Sequence, residues 1–162
     1  MAFTISSSAF ADGQPIPEEY TREGKNVSPP LQWADVPTGT VQLALIVDDP
    51  DAPQAQPFIH WLIFAIPAEV EGLEAGRPRE PRLEDPPGAF QGTNDFGDLG
   101  YDGPAPPPGS GDHHYRFELF ALDRAIDAEP GVDHKTLRDR MVEAVIGRAI
   151  LTGTYRTSEQ RV

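Results

Sequence analysis

The chain has 162 residues and no cysteine, with 13 basic and 26 acidic side chains that give a formal net charge of −13 at pH 7. A field of that sign repels phosphate backbones and anionic bilayers, which argues against a nucleic-acid binder. The missing cysteines exclude disulfides, thiolate nucleophiles and Cys-type zinc sites. Because the overall field is negative, a site for an anion must be local, built from N–H donors and oriented dipoles.

The length is typical of a single domain, which we predict to cover residues 1–162. No apolar run approaches the roughly 20 residues that a membrane-spanning helix requires. The first residues, Met1 to Ile5, lack the basic and apolar regions of a signal peptide. These features predict a cytoplasmic protein with no membrane span.

Eighteen prolines and 15 glycines punctuate the apolar runs, a pattern that favours a mainly β fold over a helical bundle. The runs at 41–48 and 60–67 are nearly continuous in apolar residues, so we place both at the centre of a sheet, buried on both faces. Residues 115–122 alternate, which predicts one face turned toward the core. Residues 3–6 and 149–156 are predicted as the first and last strands.

One helix is predicted near the C-terminus, with Asp133 as its N-cap and Gly147 at its end. Its apolar side chains recur at helical spacing: Leu137, Met141, Val142 and Val145. We interpret this stripe as core packing rather than as a partner site.

The connection between residues 67 and 115 shows little regular pattern and carries eight prolines within residues 78–108. A connection of this length inside a compact domain is usually functional or disordered. Its basic cluster at residues 77–82 is interpreted as a solvated loop, with a contact surface for an anionic partner as the alternative.

Two segments, residues 47–60 and 92–115, place acidic, imidazole and phenol groups beside prolines and glycines. A charged imidazole donates from both ring nitrogens, a nearby aspartate can orient it, and Tyr115 adds a neutral donor. Glycines such as Gly103 and Gly111 let backbone N–H groups approach a ligand, and prolines lower the ordering cost of binding. These residue types indicate a small, stiff polar pocket.

Strand alternation predicts which of these side chains share a side. His113 and Tyr115 should point the same way, with His114 on the opposite, exposed side. For His60 and His113 the alternative is a purely structural role with satisfied hydrogen bonds.

The turn after residues 41–48 contains two further candidates, Asp49 and Asp51. We expect one carboxylate to cap the Asp-Pro turn and the other to face the pocket. The Ala52–Pro53 bond in the same turn is our candidate for a cis peptide, because X-Pro bonds adopt that form most readily.

Five motifs occur in a consistent order along the chain: Asn26-Val-Ser-Pro-Pro-Leu-Gln-Trp33, Asp48-Asp-Pro-Asp-Ala-Pro53 with His60-Trp61, Asn94-Asp-Phe-Gly with Gly100-Tyr-Asp-Gly-Pro-Ala-Pro-Pro, His113-His-Tyr115, and Gly153-Thr-Tyr155. In these motifs the chain resembles the phosphatidylethanolamine-binding protein family over nearly its whole length. The resemblance is greatest to its prokaryotic, Raf-kinase-inhibitor-like branch.

The resemblance implies a large central antiparallel (Greek-key) β-sheet, packed with a smaller sheet and one or two helices, with an anion pocket at one end. It implies six residues around that pocket: Asp49, Pro53, His60, Gly103, His113 and Tyr115. The implied ligands are small anions such as phosphate, a phosphoethanolamine-like head group or a carboxylate, and no cofactor or metal is expected. The family also includes kinase and protease inhibitors, so a kinase or protease partner and a homodimer are further hypotheses.

Three positions depart from the family pattern. His114 stands where the second pocket motif usually has Arg, Ala105 where prokaryotic members commonly have Cys, and Arg148 where His is common. Because the pocket His and Tyr are kept, the fold and cavity should stand. The contact of the missing Arg, such as a tie between a loop and the pocket rim, is left open.

Two other functions stay open beside binding. Ser110 lies in Gly-Ser-Gly near His113, which suggests a hydrolase for a small ester or phosphoester. However, Gly-x-Ser-x-Gly is absent because Pro occupies position 108, and the sequence shows no set of nucleophile, base and orienting residue. The other alternative is an interaction protein with a vestigial pocket. Binding is the leading interpretation, and no catalytic residue is assigned.

Overall fold

A computed structural model describes residues 2–157, which form two antiparallel sheets and one α-helix. The elements, in chain order, are β1 Thr4–Ser6, β2 Leu31–Ala34, β3 Gln42–Asp49, β4 Phe58–Pro67, β5 Gly72–Leu73, β6 Phe90–Gln91, β7 His113–Leu122, α1 His134–Met141 and β8 Val145–Tyr155. The smaller sheet has the order β1-β2-β5, and the larger has the order β6-β4-β3-β7-β8.

The centre of the larger sheet is formed by β3 and β4, as the sequence predicts. Every residue of β3 from Leu43 onward is buried, and so are residues 59–64 of β4. A strand covered on both faces has no solvent side, which is why these runs are apolar without alternation.

Each face of the larger sheet has its own core. One face packs against the smaller sheet and takes the inward side of β7, including Phe117, which confirms the predicted alternation. The other face packs under α1 through Leu137 and Met141. Asp133 caps this helix as predicted, because its carboxylate accepts the N–H of Thr136 at 2.8 Å.

The helix ends earlier than predicted, at Met141 rather than at Gly147. Val142 follows it and is 70% exposed, so it does not belong to the core stripe. Val145 pairs with Leu122 as the first residue of β8. The prediction was wrong because sheet pairing with β7 overrides the helical spacing. No helix within residues 2–157 is long and apolar enough to span a bilayer.

The long connection between β4 and β7 is fixed by side chains more than by regular structure. Arg79 donates to the buried Asp102 carboxylate at 3.0 Å, and Arg77 donates to the Asp85 carbonyl at 2.7 Å. The side chain of Arg77 is only 12% exposed. The interpretation of residues 77–82 as a solvated loop was therefore wrong for Arg77, whereas the side chain of Arg79 is 41% exposed.

Candidate functional site

A cavity of about 230 Å³ opens at the end of the larger sheet where β3 stops and β4 and β7 begin. The antiparallel arrangement brings these three strand ends together, since Asp49 pairs with Phe58 across β3 and β4. Five of the six predicted pocket residues form part of its wall: Asp49, Pro53, His60, His113 and Tyr115.

The rest of the wall is mostly apolar and was not assigned from the sequence: Ala52, Gln54, Phe58, Phe96, Ala105, Pro106 and Pro107. Phe96 lies inside the Asn94-Asp-Phe-Gly motif, and Phe58 stands two residues before His60. Their positions within or next to a pocket motif could therefore have identified these two residues as part of the wall.

His60 is held by a neutral acceptor. Its Nδ1 lies 2.7 Å from the Asp102 carbonyl, and because a carbonyl only accepts, this nitrogen must carry a hydrogen. The ring is 3% exposed, and three aromatic centroids lie 5.2–5.5 Å from its own: Phe58, Phe96 and Tyr115. Burial lowers the pKa of His60, despite the carbonyl and the carboxylates nearby. The neutral ring thus presents Nε2 as its remaining polar atom.

The carbonyl that orients His60 belongs to a residue with a buried, fully engaged carboxylate. Asp102 is 2% exposed and accepts from Asn26 and Asn94, both at 2.9 Å, and from Arg79 at 3.0 Å. Burial opposes its ionisation, but the hydrogen bonds outweigh burial and keep the pKa of Asp102 below its usual value. The residue that supplies the His60 acceptor is therefore held by contacts from three separate segments.

His113, in contrast, is held by a charged acceptor. Its Nδ1 lies 2.6 Å from a carboxylate oxygen of Asp49, and both residues are buried. Its other ring nitrogen, Nε2, lies 3.0 Å from the hydroxyl oxygen of Ser110. Carboxylate, imidazole and hydroxyl thus follow one another at hydrogen-bond distance at the edge of the cavity.

Tyr115 supplies a neutral donor between the two histidines. Burial raises the pKa of its phenol, so the hydroxyl stays protonated at neutral pH. The ring of Tyr115 lies 5.2 Å from that of His60 and 6.4 Å from that of His113, measured between centroids. No group of three or more His, Asp or Glu side chains in the same range is arranged to hold a metal ion.

Residues 6–156 match the model of a protein family described as phosphatidylethanolamine-binding protein. The chain belongs to this family. A UPF0098 protein of Methanothermobacter thermautotrophicus is 48% identical to it, over 94% of this chain and 97% of that protein.

Two solved structures show the same fold. The crystal structure of Escherichia coli YbcL, described as a member of the mammalian PEBP family, has a TM-score of 0.90 and 32% identity, covering 98% of this chain and 100% of that one. A phosphatidylethanolamine-binding protein homologue from Chlamydia trachomatis, CT736, has a TM-score of 0.86 and 36% identity, covering 97% and 99%. The predicted membership and the mainly β architecture are thereby confirmed.

In this family member Asp49 and Asp51 do not take one role each, as predicted. Asp49 does both tasks: one oxygen holds His113, and the other accepts the N–H of Asp51 at 2.8 Å. Asp51 faces outward and accepts from the N–H and Nδ1 of His114 at 2.8 and 2.7 Å. His114 is exposed as predicted, and it makes the loop-to-rim contact that the missing Arg left open.

The turn beyond Asp51 is also built differently from the prediction. Ala52–Pro53 is trans, and the cis peptide within residues 2–157 is Asp85–Pro86. The predicted cis bond was wrong because hydrogen bonds close this turn, including that from the Gln54 N–H to the Ala52 carbonyl at 2.7 Å.

Gly103 lies behind the cavity wall rather than in it. Its N–H donates to the side-chain oxygen of Asn26 at 2.7 Å, and an added Cβ would collide with the Tyr20 carbonyl. Only glycine allows the two backbones to come this close. In the structure Gly103 supports the loop that carries the Asp102 carbonyl, and its contact with a ligand stays a prediction.

Proposed function

We propose that this protein binds a small ligand with one anionic end, such as phosphate, a phosphoethanolamine-like head group or a carboxylate, in the cavity beside His60. The observation that carries the proposal is the orientation of His60. Because Nδ1 is committed to the Asp102 carbonyl, Nε2 is left for a ligand, and the ring of Tyr115 lies beside it with centroids 5.2 Å apart. In the neutral ring Nε2 accepts a hydrogen bond, and once the ring is protonated it donates one. A few polar groups of this kind in a mostly apolar cavity are typical of a small-molecule site.

The net charge of −13 does not oppose a recessed site of this kind. The carboxylate nearest to the cavity, Asp49, already accepts hydrogen bonds from His113 and from the N–H of Asp51. Its charge is therefore met by local donors. Distant surface charges are screened over about 10 Å at 0.1 M salt.

Anion binding should be coupled to proton uptake at His60. Burial lowers the pKa of this ring in the unliganded protein, whereas an anion at Nε2 would raise it. Because linkage is reciprocal, a lower pH should strengthen the binding of the anion.

The apolar part of the wall limits what the rest of the ligand can be. The rings of Phe58 and Phe96, whose centroids lie 4.7 Å apart, stand beside His60, and Pro106 and Pro107 also line the cavity. A volume of about 230 Å³ admits a head group or a small carboxylic acid rather than an extended chain. A kinase or protease partner and a homodimer stay hypotheses of the resemblance alone, and a cytoplasmic location stays a prediction from the sequence pattern.

A thermal-shift titration tests this proposal, with inorganic phosphate, phosphoethanolamine and acetate at pH 6.0 and 7.5. At a ligand concentration of 100 Kd, specific binding stabilises the fold by about 2.7 kcal/mol. We expect the wild-type protein and His114→Ala, which removes an exposed histidine outside the cavity, to shift equally and more at the lower pH. His60→Gln should lose the shift.

The proposal fails if none of the three anions stabilises the wild-type protein. It also fails if His60→Gln retains the full shift. A calorimetric titration with phosphate separates a lost site from a merely destabilised variant, since it reports binding while the protein remains folded.

A further inference from the structure

We propose that Ser110 is a nucleophile that accepts the acyl group of a small ester, with His113 as its general base and Asp49 as the positioning residue. This activity goes beyond anion binding. It uses the same cavity but does not require that an anion binds at His60.

The distances between the three side chains fit this assignment. Asp49 lies 2.6 Å from Nδ1 of His113, and Nε2 of the same ring lies 3.0 Å from the Ser110 hydroxyl. A nucleophile, a base and an orienting group within hydrogen-bond reach of one another are the signature of activated serine chemistry. The N–H of Asp51 fixes the second oxygen of Asp49, so the carboxylate cannot easily rotate away.

The loop around Ser110 leaves this residue exposed and next to His113, which lines the cavity. Gly109 and Gly111 flank the serine with φ of +84° and +81°, a region that favours glycine. A Cβ added at either glycine would meet no atom within 4 Å, so the loop is open on both sides of the serine. The N–H of Ser110 donates to the carbonyl of Pro107, which itself lines the cavity. The turn thus places the hydroxyl between solvent and His113.

The hydroxyl proton has two acceptors within reach. Ser110 Oγ lies 2.6 Å from the Pro107 carbonyl and 3.0 Å from His113 Nε2. When both ring nitrogens carry hydrogen, the hydroxyl donates to the carbonyl. When the ring is neutral, with its hydrogen directed at Asp49, rotation about the Cβ–Oγ bond turns the hydroxyl hydrogen to Nε2. The second arrangement is the reactive one.

The reaction balances without a metal or a redox partner. The Ser110 oxygen bonds to the acyl carbon, its proton passes to His113 Nε2, and the ester bond to the alcohol breaks as this proton is delivered to the leaving oxygen. Water, deprotonated by the same nitrogen, then releases the acid and restores the serine. The protonated hydroxyl of Tyr115 is the neutral donor that the cavity offers to the oxyanion.

Covalent labelling tests the nucleophile directly. The protein is incubated with a fluorophosphonate, whose P–F bond breaks as the serine oxygen bonds to phosphorus, and the modified residue is located by peptide mass spectrometry. We expect one label per chain, on Ser110, and at least a hundredfold slower labelling in Ser110→Ala and Asp49→Asn. His114→Gln should label like the wild type, because this ring contacts Asp51 rather than Ser110. Labelling at another residue, or no labelling of the wild type, overturns the proposal.

The absence of native cysteine allows a second readout that does not depend on any choice of ester. In Ser110→Cys the single thiol lies beside His113, whereas in Ser8→Cys it lies on an exposed surface. A thiol next to such a base is more fully ionised at pH 7, so we expect alkylation by iodoacetamide to be at least about tenfold faster in Ser110→Cys. Adding His113→Gln should remove the difference. Equal rates in the two single variants contradict the assignment.

The two proposals of this cavity can fail separately. Ser110→Ala should retain the phosphate-induced thermal shift while losing the label, and His60→Gln should lose the shift while retaining the label. Loss of both properties in Ser110→Ala contradicts a distinct nucleophilic role.

Discussion

The cavity has two walls, each built around a histidine, and they are made in different ways. On one wall, a neutral backbone carbonyl orients His60, and the ring is surrounded by aromatic side chains. On the other, the carboxylate of Asp49 orients His113, and the ring reaches an exposed serine. A carbonyl fixes the tautomer without adding charge, whereas a carboxylate also stabilises the protonated ring. The first wall is suited to hold a ligand and the second to move a proton.

The contacts that support the two walls also differ, in how deeply they are buried. The carbonyl behind His60 depends on Asp102, which ties together residues from three separate segments and is almost completely buried. The outer edge of the His113 wall carries the contact of His114 with Asp51, where the two side chains are 55% and 42% exposed. The first wall should therefore be sensitive to substitution, and the edge of the second should be tolerant.

The largest effect is expected for Asp102→Ala. The variant removes the acceptor of the buried Asn94, the half-buried Asn26 and the more exposed Arg79. We expect a loss of about 3 kcal/mol in the free energy of unfolding, measured by urea denaturation. A loss below about 1 kcal/mol would show that the His60 wall does not depend on this network.

A smaller but clear loss is expected for Gly103→Ala. The added methyl collides with the Tyr20 carbonyl, so the two backbone segments must separate. Overpacking of this kind costs about 1–3 kcal/mol in the free energy of unfolding. The hydrogen bond from Gly103 to Asn26 should lengthen as well, which an increase in amide hydrogen exchange at Gly103 would reveal. Unchanged stability would mean that the loop relaxes freely and does not support the wall.

The third prediction concerns pH. Because the pKa of His60 is lowered in the folded state, the unfolded state binds this proton more readily. The stability associated with the neutral ring is present above the unfolded pKa of about 6.5 and is lost as the pH falls below it, with a slope of at most about 1.4 kcal/mol per pH unit. Urea denaturation at pH 7 and pH 5 should show a smaller decrease for His60→Gln than for the wild type. Equal decreases would contradict the assignment of a neutral His60.

The smallest effect is expected for Asp51→Ala, at the exposed edge of the second wall. Its contact with His114 is solvated, and even a fully charged pair at such a site contributes only about 0–1 kcal/mol. The free energy of unfolding should change by less than about 0.5 kcal/mol, and the phosphate-induced thermal shift should persist. A loss comparable to that of Asp102→Ala would remove the contrast between the walls.

Several features of the fold were readable from the sequence because they depend on local pattern. The central strands follow from continuous apolar runs, and the inward face of β7 follows from alternation. The helix start follows from Asp133 as a cap. The helix end was misread, since the pairing of Val145 with Leu122 is a contact between distant residues that helical spacing cannot reveal.

The sequence by itself determined the family, the mainly β architecture and the positions of five residues that line one cavity. Motif order and strand alternation can be read from the sequence alone, because neither depends on which residues are in contact. Tertiary structure decided what each residue does there. It paired His60 with a carbonyl 42 positions away and His113 with a carboxylate 64 positions away. It also placed Gly103 behind the wall and Arg79 against Asp102. Charge, tautomer and access depend on such long-range neighbours, which no local pattern encodes.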